Sequence, residues 1–352
     1  MPEFKAVGPE KTLSVDDGHK RGPLTMVRLR FHPTQRFLLG QCVDRRLAVW
    51  DADAAPAAGK KGASVPGRLA CAHDAGWIRG FDVHPAGQTA ATGGSDRRLR
   101  LWRWDAVRDG ADAAPAADAA AHDGWVEAVA YSPDGARIAT VGADRRLRLW
   151  NAADLSPLGS AAAHDRIPRD VAFTPDGRRI VTAGEDGAVL VWDAAALTVE
   201  RAIDTGTAGD QQGQHPAVSG LLRIAVSRDG RWLAASADRA ALVYETGTGR
   251  PVGTIADGGG DAVFGRAHDL LAVGSNVLRL SAFDPAKLAA AGPAGPADAK
   301  ARKPSGKLPP WPGRGVADIK RGDFSLGAAF SADDARLAAG RADGTVELWG
   351  LK

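Results

Sequence analysis

Eight histidines and a recurrent aspartate are the side chains of this sequence best suited to chemistry. His73, His122 and His164 precede Asp96, Asp144 and Asp186 in three similar stretches. A histidine with a carboxylate partner is the apparatus of a general base, and His/Asp clusters also ligate metals. The spacing speaks against both uses. Successive histidines lie about 45 residues apart, close to the period at which the sequence repeats, so they belong to different copies of one unit and cannot share a metal. Other catalytic signatures are absent from the sequence. No Gly-x-Gly-x-x-Gly follows a strand and opens a helix, no Gly-Lys-Ser/Thr phosphate loop occurs, and there is no Gly-x-Ser-x-Gly. Two cysteines, Cys42 and Cys71, are too few for a disulfide framework or a zinc site and are expected to pack. The expectation is a non-enzymatic protein with no metal and no cofactor.

The units that would position these residues are visible as repeats. Asp-Arg-Arg-Leu-x-x-Trp occurs at Asp44–Trp50, Asp96–Trp102 and Asp144–Trp150, with separations of 52 and 48 residues. Asp186–Trp192, Asp238–Tyr244 and Asp343–Trp349 keep the same step in looser wording. In the clearest unit, Ala121 to Asn151, Val126–Tyr131 is a short apolar run and Ser132-Pro133-Asp134-Gly135 is a turn. Arg137–Gly142 and Leu147–Trp150 read as further strands around a second turn. Short, evenly spaced strands with punctuating turns indicate antiparallel β-structure. A fourth strand is expected in the variable stretch before the next Ala-His, giving four-stranded units.

These units resemble WD repeats, whose pattern is Gly-His, a strand, a Ser-Pro-Asp-Gly turn, a Ser/Thr-bearing strand, an Asp turn and a closing Trp-Asp. Seven units follow, at about 19–51, 72–105, 121–151, 163–193, 215–245, 261–284 (degenerate) and 326–350. The resemblance implies an all-β, seven-bladed β-propeller of four-stranded antiparallel blades, forming one domain over 1–352. The sequence stops soon after the third strand of the last unit, so the segment Glu10 to Gly18 is expected to complete that blade and close the ring. The resemblance also implies a buried His–Ser/Thr–Asp–Trp tetrad in each regular blade. The matching residues are His73, Thr92, Asp96 and Trp102; His122, Thr140, Asp144 and Trp150; and His164, Thr182, Asp186 and Trp192. Unit one has Gly40 in place of Thr, with His19, Asp44 and Trp50 retained; unit five has Ala234 and Tyr244; unit seven has Ala339 and no His. Looser packing of blades five to seven is the expected consequence. Of the other histidines, His32 and His84 replace Ser in the first turn, and His268 has no place in the pattern.

The bulk composition narrows the partner. Charge is 25% of residues with a net of +3, and arginine outnumbers lysine by 34 to 11. This balance fits GC-rich codon usage better than phosphate binding, and a nucleic-acid partner is not expected. The first twenty residues contain no apolar signal-like run and no 18-residue apolar stretch occurs, so a cytoplasmic protein without membrane association is expected. The resemblance implies that one rim of the ring binds protein or peptide. The rim candidates are Trp77 and Arg79, Trp125 and Glu127, Ile167 and Arg169, and Phe324. Trp and Arg are the types enriched in interface hot spots; capping of a blade's apolar edge is the alternative role for the two tryptophans. Arg46, Arg98 and Arg146, each the second of an arginine pair after the tetrad Asp, would add a basic arc suited to an acidic or phosphorylated peptide, or would be merely solvated turns. The alternative function is a propeller enzyme or small-ligand binder using its central channel, and the ring is expected to be monomeric. Ala52–Arg68, Ala106–Ala120 and Pro285 to about Gly322 are Ala/Pro/Gly-rich and are expected to be surface loops.

Overall fold

The computed structural model describes residues 6–15, 26–42, 45–56, 64–73, 75–110, 114–205, 223–237, 240–256, 260–274, 277–290, 312–320, 327–341 and 343–351. They form seven antiparallel sheets arranged as the blades of a ring. Blade 1 is Met26–Phe31, Phe37–Cys42, Leu47–Asp51 and Arg68–Ala70. Blade 2 is Ile78–Val83, Thr89–Gly94, Arg98–Arg103 and Ala117–Ala120. Blade 3 is Val126–Tyr131, Arg137–Gly142, Arg146–Asn151 and Pro157–Ala162. Blade 4 is Pro168–Phe173, Arg179–Gly184, Ala188–Asp193 and Thr198–Asp204. Blade 5 is Arg223–Val226, Trp232–Ser236, Ala240–Glu245 and Pro251–Ala256. Blade 6 is Asp261–Phe264, Leu270–Gly274, Val277–Ala282 and Arg314–Lys320. Blade 7 is Ala328–Phe330, Arg336–Gly340, Val346–Leu351 and, from the other end of the chain, Ala6–Ser14.

A blade this thin has no core of its own, so its apolar side chains are buried against its neighbours. Leu39 and Leu47 of blade 1 pack with Ile78 and Phe81 of blade 2, and Val129 and Ile138 of blade 3 with Leu99 and Leu101 of blade 2. The same arrangement recurs between blades 5 and 6 and between 6 and 7. Blades 5 to 7 are as tightly filled as the others despite their missing tetrad residues: Trp232, Tyr244 and Phe330 are all buried. In blade 7 a different polar set replaces the tetrad: Trp349 Nε1 donates to Glu347 Oε2 at 3.2 Å, and Arg341 Nη1 pairs with Glu347 Oε1 at 2.5 Å.

Acidic side chains on the innermost strands tie neighbouring blades together, 2 to 3, 4 to 5 and 6 to 7. Asp82 Oδ2 accepts from Tyr131 N at 2.9 Å, Asp170 Oδ2 from Ile224 N at 3.0 Å, and Asp261 Oδ2 from Ala328 N at 2.6 Å. The other oxygen of each carboxylate accepts from the N–H of the following residue. These bonds satisfy backbone donors at the blade junctions, where no sheet partner is available.

The ring closes as the sequence suggests, with one shift and one addition. The closing strand is Ala6–Ser14 rather than the segment ending at Gly18, and pairs antiparallel with Val346–Leu351, Leu13 opposite Val346. Gly18 and His19 lie outside the described residues. The addition comes from the first connector: Val65–Pro66 pairs in parallel with Leu13–Ser14, so the closing strand is clasped on both edges. Ser14 O accepts from Gly67 N at 2.7 Å and from Trp50 Nε1 at 2.9 Å. Lys11 Nζ donates to Ala52 O and Ala54 O at 2.9 and 3.1 Å. Gly40 explains the detour of Trp50: with no hydroxyl at that position, the indole donor turns to the closing strand.

All three connectors correct the expectation of plain surface loops. Ala106–Ala120 supplies most of a helix, Trp104–Asp109, with Trp104 and Val107 buried, and then the outer strand of blade 2. The last connector begins with the helix Pro285–Ala290 and contributes Arg314–Lys320 to blade 6. Composition averages over a segment and misses the few apolar residues that anchor it. Cys71 follows the outer strand of blade 1 as a buried free thiol whose pKa burial pushes up, and Leu47–Asp51 separates that strand from the one that ends at Cys42.

The clasp gives a direct test of closure. An added Cβ at Gly67 would collide with the Trp50 indole. Gly67→Val should therefore lower the melting temperature, at a cost of about 1–3 kcal/mol, whereas Gly247→Val, with open space around it, should not.

Candidate interaction rim

The rim is built from the tetrads outward. In blade 3, Trp150 Nε1 donates to Thr140 Oγ1 at 2.9 Å, and His122 Nε2 lies 2.8 Å from the same oxygen. The Asp144 carboxylate can only accept, so in a neutral imidazole the proton sits on Nδ1 and Nε2 accepts from the threonine hydroxyl. Nδ1 donates to Asp144 Oδ1 at 2.8 Å. Blade 2 repeats the relay through Trp102, Thr92, His73 and Asp96, at 2.7, 2.8 and 3.0 Å. Blade 4 repeats it through Trp192, Thr182, His164 and Asp186, at 3.0, 2.8 and 3.0 Å. Every polar atom of these buried chains is matched, which is the condition for a buried network to stabilise. Burial, the largest single influence, would raise the Asp144 carboxyl, but the His122 hydrogen bond and charge together with the Asp123 and Arg146 amides outweigh it and hold the group at about 2. Asp96 is likewise held at about 2 against burial, by His73 and Arg100.

The carboxylates at the end of each relay also fix the loops above them. Asp144 Oδ2 accepts from Asp123 N at 3.2 Å, and Asp186 Oδ2 from Asp165 N at 3.0 Å. Two residues further on, each loop is pinned again by a backbone bond. Trp77 O accepts from Ser95 N, Trp125 O from Ala143 N, and Ile167 O from Glu185 N, at 2.9, 2.8 and 3.0 Å. Trp77, Trp125 and Ile167 therefore occupy the same station in three consecutive blades. Trp77 is 53% exposed and Trp125 48%, while Ile167 is half-buried.

The residues two positions on are joined in a chain of ion pairs. Arg79 Nη2 lies 2.7 Å from Glu127 Oε2, and Arg169 Nη1 lies 3.1 Å from the same atom. Arg169 reaches onward to Glu185. The Arg79 guanidinium also lies over the Trp125 ring, 4.7 Å from its centroid. Glu127 is only 5% exposed, so it is not a contact residue: its carboxylate holds two rim arginines from beneath. Burying the carboxylate costs desolvation, which its two guanidinium partners offset.

The arginine arc is carried by different members of the pairs than the sequence suggests. Arg46, Arg98 and Arg146 are half-buried, and Arg98 pairs with Asp118 at 2.6 Å while Arg146 donates to Ser160 Oγ at 2.8 Å. Both thus tie the third strand of a blade to its fourth. Arg45, Arg97 and Arg145 stand exposed at the turn tips. Arg97 and Arg145 have φ of 68° and 63°, where blades 4 and 7 carry Gly187 and Gly344. Exposed Asp123 and Asp165 alternate with these arginines, so the rim is mixed in charge rather than uniformly basic. Phe324 lies outside the described residues, as do His215 and Asp238 of blade 5 and Asp44 of blade 1. The supports beneath the platform, Ser95 and Glu185, carry no mark in the repeat pattern, because each acts in a single blade. His32 and His84 lie in the first turns, where His32 Nδ1 accepts from Gln35 N at 3.1 Å and His84 Nδ1 from Ala86 N at 3.0 Å.

Four stretches of the chain, residues 67–103, 118–151, 155–193 and 323–350, match the family model WD40, described as WD domain, G-beta repeat. They fall on blades 2, 3, 4 and 7 of a seven-bladed ring. The chain is a WD40-repeat β-propeller. WD40 propellers typically serve as scaffolds for protein interaction and are generally non-catalytic. No curated protein matches the chain. Among the described residues of this WD40 propeller, no group of His, Cys, Asp and Glu could hold a metal ion, and no helix is long and apolar enough to cross a membrane.

Two outcomes follow for solution behaviour. Asp96 and Asp144 have folded-state values below the usual 3.8, so they add stability above that pH and lose it as pH falls toward about 2. Asp96→Asn and Asp144→Asn should lower the melting temperature at pH 7 and flatten its decline between pH 4 and 2. At Arg145, the left-handed backbone disfavours a side chain by about 1–2 kcal/mol, against the extra unfolded-state freedom of glycine of about 0.5–1 kcal/mol. Arg145→Gly should leave the melting temperature unchanged or slightly raised.

Proposed function

We propose that this propeller is a non-enzymatic interaction module that binds a protein or peptide partner through the rim of blades 2 to 4. The observation that carries the reading is the platform of Trp77 and Trp125, each about half exposed, with Arg79 stacked on one of them and held by Glu127. Large aromatic side chains left in water are costly unless something covers them, and a pre-ordered Trp–Arg surface loses little entropy on binding. The mixed charge refines the partner. An extended segment with an apolar anchor for the tryptophans and a carboxylate for Arg97 or Arg145 fits better than a polyanion, because Asp123 and Asp165 would repel uniform negative charge.

Trp77→Ala combined with Trp125→Ala tests this. Both side chains are exposed, so melting should shift by no more than the equivalent of about 0.5–1 kcal/mol. Proteins recovered with the wild-type propeller from its native lysate should be lost with the double variant. Unchanged recovery, or a collapse of the melting temperature, would assign the tryptophans to packing alone.

A further inference from the structure

The channel at the centre of the ring contains a cavity of about 440 Å³ with a chemistry unlike that of the rim. Its floor is an ion pair across the ring: Arg28 Nη2 of blade 1 lies 2.7 Å from Asp170 Oδ1 of blade 4, and both side chains are buried. Arg223 and Asp261 join them from the matching register of blades 5 and 6. Above the floor, Arg30 Nε lies 2.9 Å from Asp82 Oδ1. Phe31, Tyr131, Phe173, Phe264 and Phe330, one from each of five innermost strands, contribute to the wall. Pro175, Arg228 and Arg266 stand at the mouth, beyond the ends of those strands. The cavity therefore opens on the face of the first turns, opposite Trp77 and Trp125.

Among the described residues, the lining has more positive than negative groups. Arg228 is paired with Asp269 at 3.1 Å, outside the cavity. Arg28, Arg30, Arg223 and Arg266 remain, against Asp82, Asp170 and Asp261. Both oxygens of each of these carboxylates already accept a backbone N–H. The Arg266 guanidinium makes no hydrogen bond or ion pair with any described residue. Desolvation first, and then the like charge of Arg30, push its pKa down by more than the nearby Asp82 and Asp334 carboxylates raise it. A guanidinium fork matches a tetrahedral oxyanion better than a monatomic ion. The volume lies in the range of small-molecule sites, roughly 300–1,000 Å³, and the aromatic wall suits an organic group attached to the anion.

We infer that this cavity binds a phosphoryl group, seated between Arg266 and Arg30 at the mouth with the ion-paired floor beneath it. A phosphate monoester of a small metabolite and free phosphate are the two sources of that chemistry, and the aromatic wall favours the ester. The site is separate from the rim, so rim variants leave it intact.

Calorimetric titration of the purified propeller with ribose 5-phosphate, glycerol 3-phosphate, AMP and inorganic phosphate, with ribose as the uncharged control, tests the assignment. At least one phosphate is expected to bind while ribose does not, with an affinity at least tenfold weaker in Arg266→Ala and unchanged in Trp77→Ala. Tighter binding of an ester than of inorganic phosphate identifies the ester as the occupant; equal binding identifies free phosphate. Arg266 is exposed at the mouth, so the variant should melt with the wild type, and Arg266→Lys should recover part of the affinity. Absence of binding by every phosphate at millimolar concentration, binding that Arg266→Ala leaves intact, or equal binding of ribose would overturn the proposal.

Discussion

The hydrogen-bond relay from tryptophan through threonine and histidine to aspartate is the constraint on which the regular blades depend. Its Trp, Thr and His members are buried and its Asp half-buried, so each must find its partner or cost more than it contributes. The relay fixes the second strand to the third and both to the loop that enters the first. That loop carries Trp125 in blade 3, and its counterpart carries Trp77 in blade 2. The exposed platform is therefore an extension of the interior: the same Asp144 that ends the relay accepts the Asp123 amide at the rim.

Charge does different work at three depths of the ring. At the rim, Glu127 pairs with Arg79 and Arg169 and holds the two cations in place. On the innermost strands, Asp82, Asp170 and Asp261 satisfy amides of the next blade, joining units whose apolar cores already pack together. In the channel, Arg28 and Asp170 meet across the ring. Full burial of such a pair is costly unless its remaining atoms are bonded, and the backbone amides on Asp170 meet that need on the acidic side.

Much of this architecture is legible in the sequence because it repeats. The Asp-Arg-Arg-Leu-x-x-Trp segments mark the third strand and its turn in blades 1 to 3, and Ser-Pro-Asp-Gly marks the first turn of blade 3. What the sequence hides is whatever occurs once. Val65–Pro66 clasps the closing strand in a single blade, and Arg314–Lys320 completes blade 6 from within a low-complexity connector. The choice between Arg97 and Arg98 as the outward residue depends on a left-handed turn, which a pair of identical residues cannot reveal. The three innermost aspartates stand as charges in short strands that are otherwise mostly apolar, two of which also carry a rim arginine, and that mismatch is the signal for a cross-blade or channel role.

The central claim, that the tetrads hold the partner-binding rim in place, is tested most directly by amide hydrogen exchange in Asp144→Ala. The account requires faster exchange at Asp123 and through the loop carrying Trp125, with blades 5 to 7 unaffected. Unchanged protection of that loop would contradict it, and would mean that the rim is ordered without its buried support.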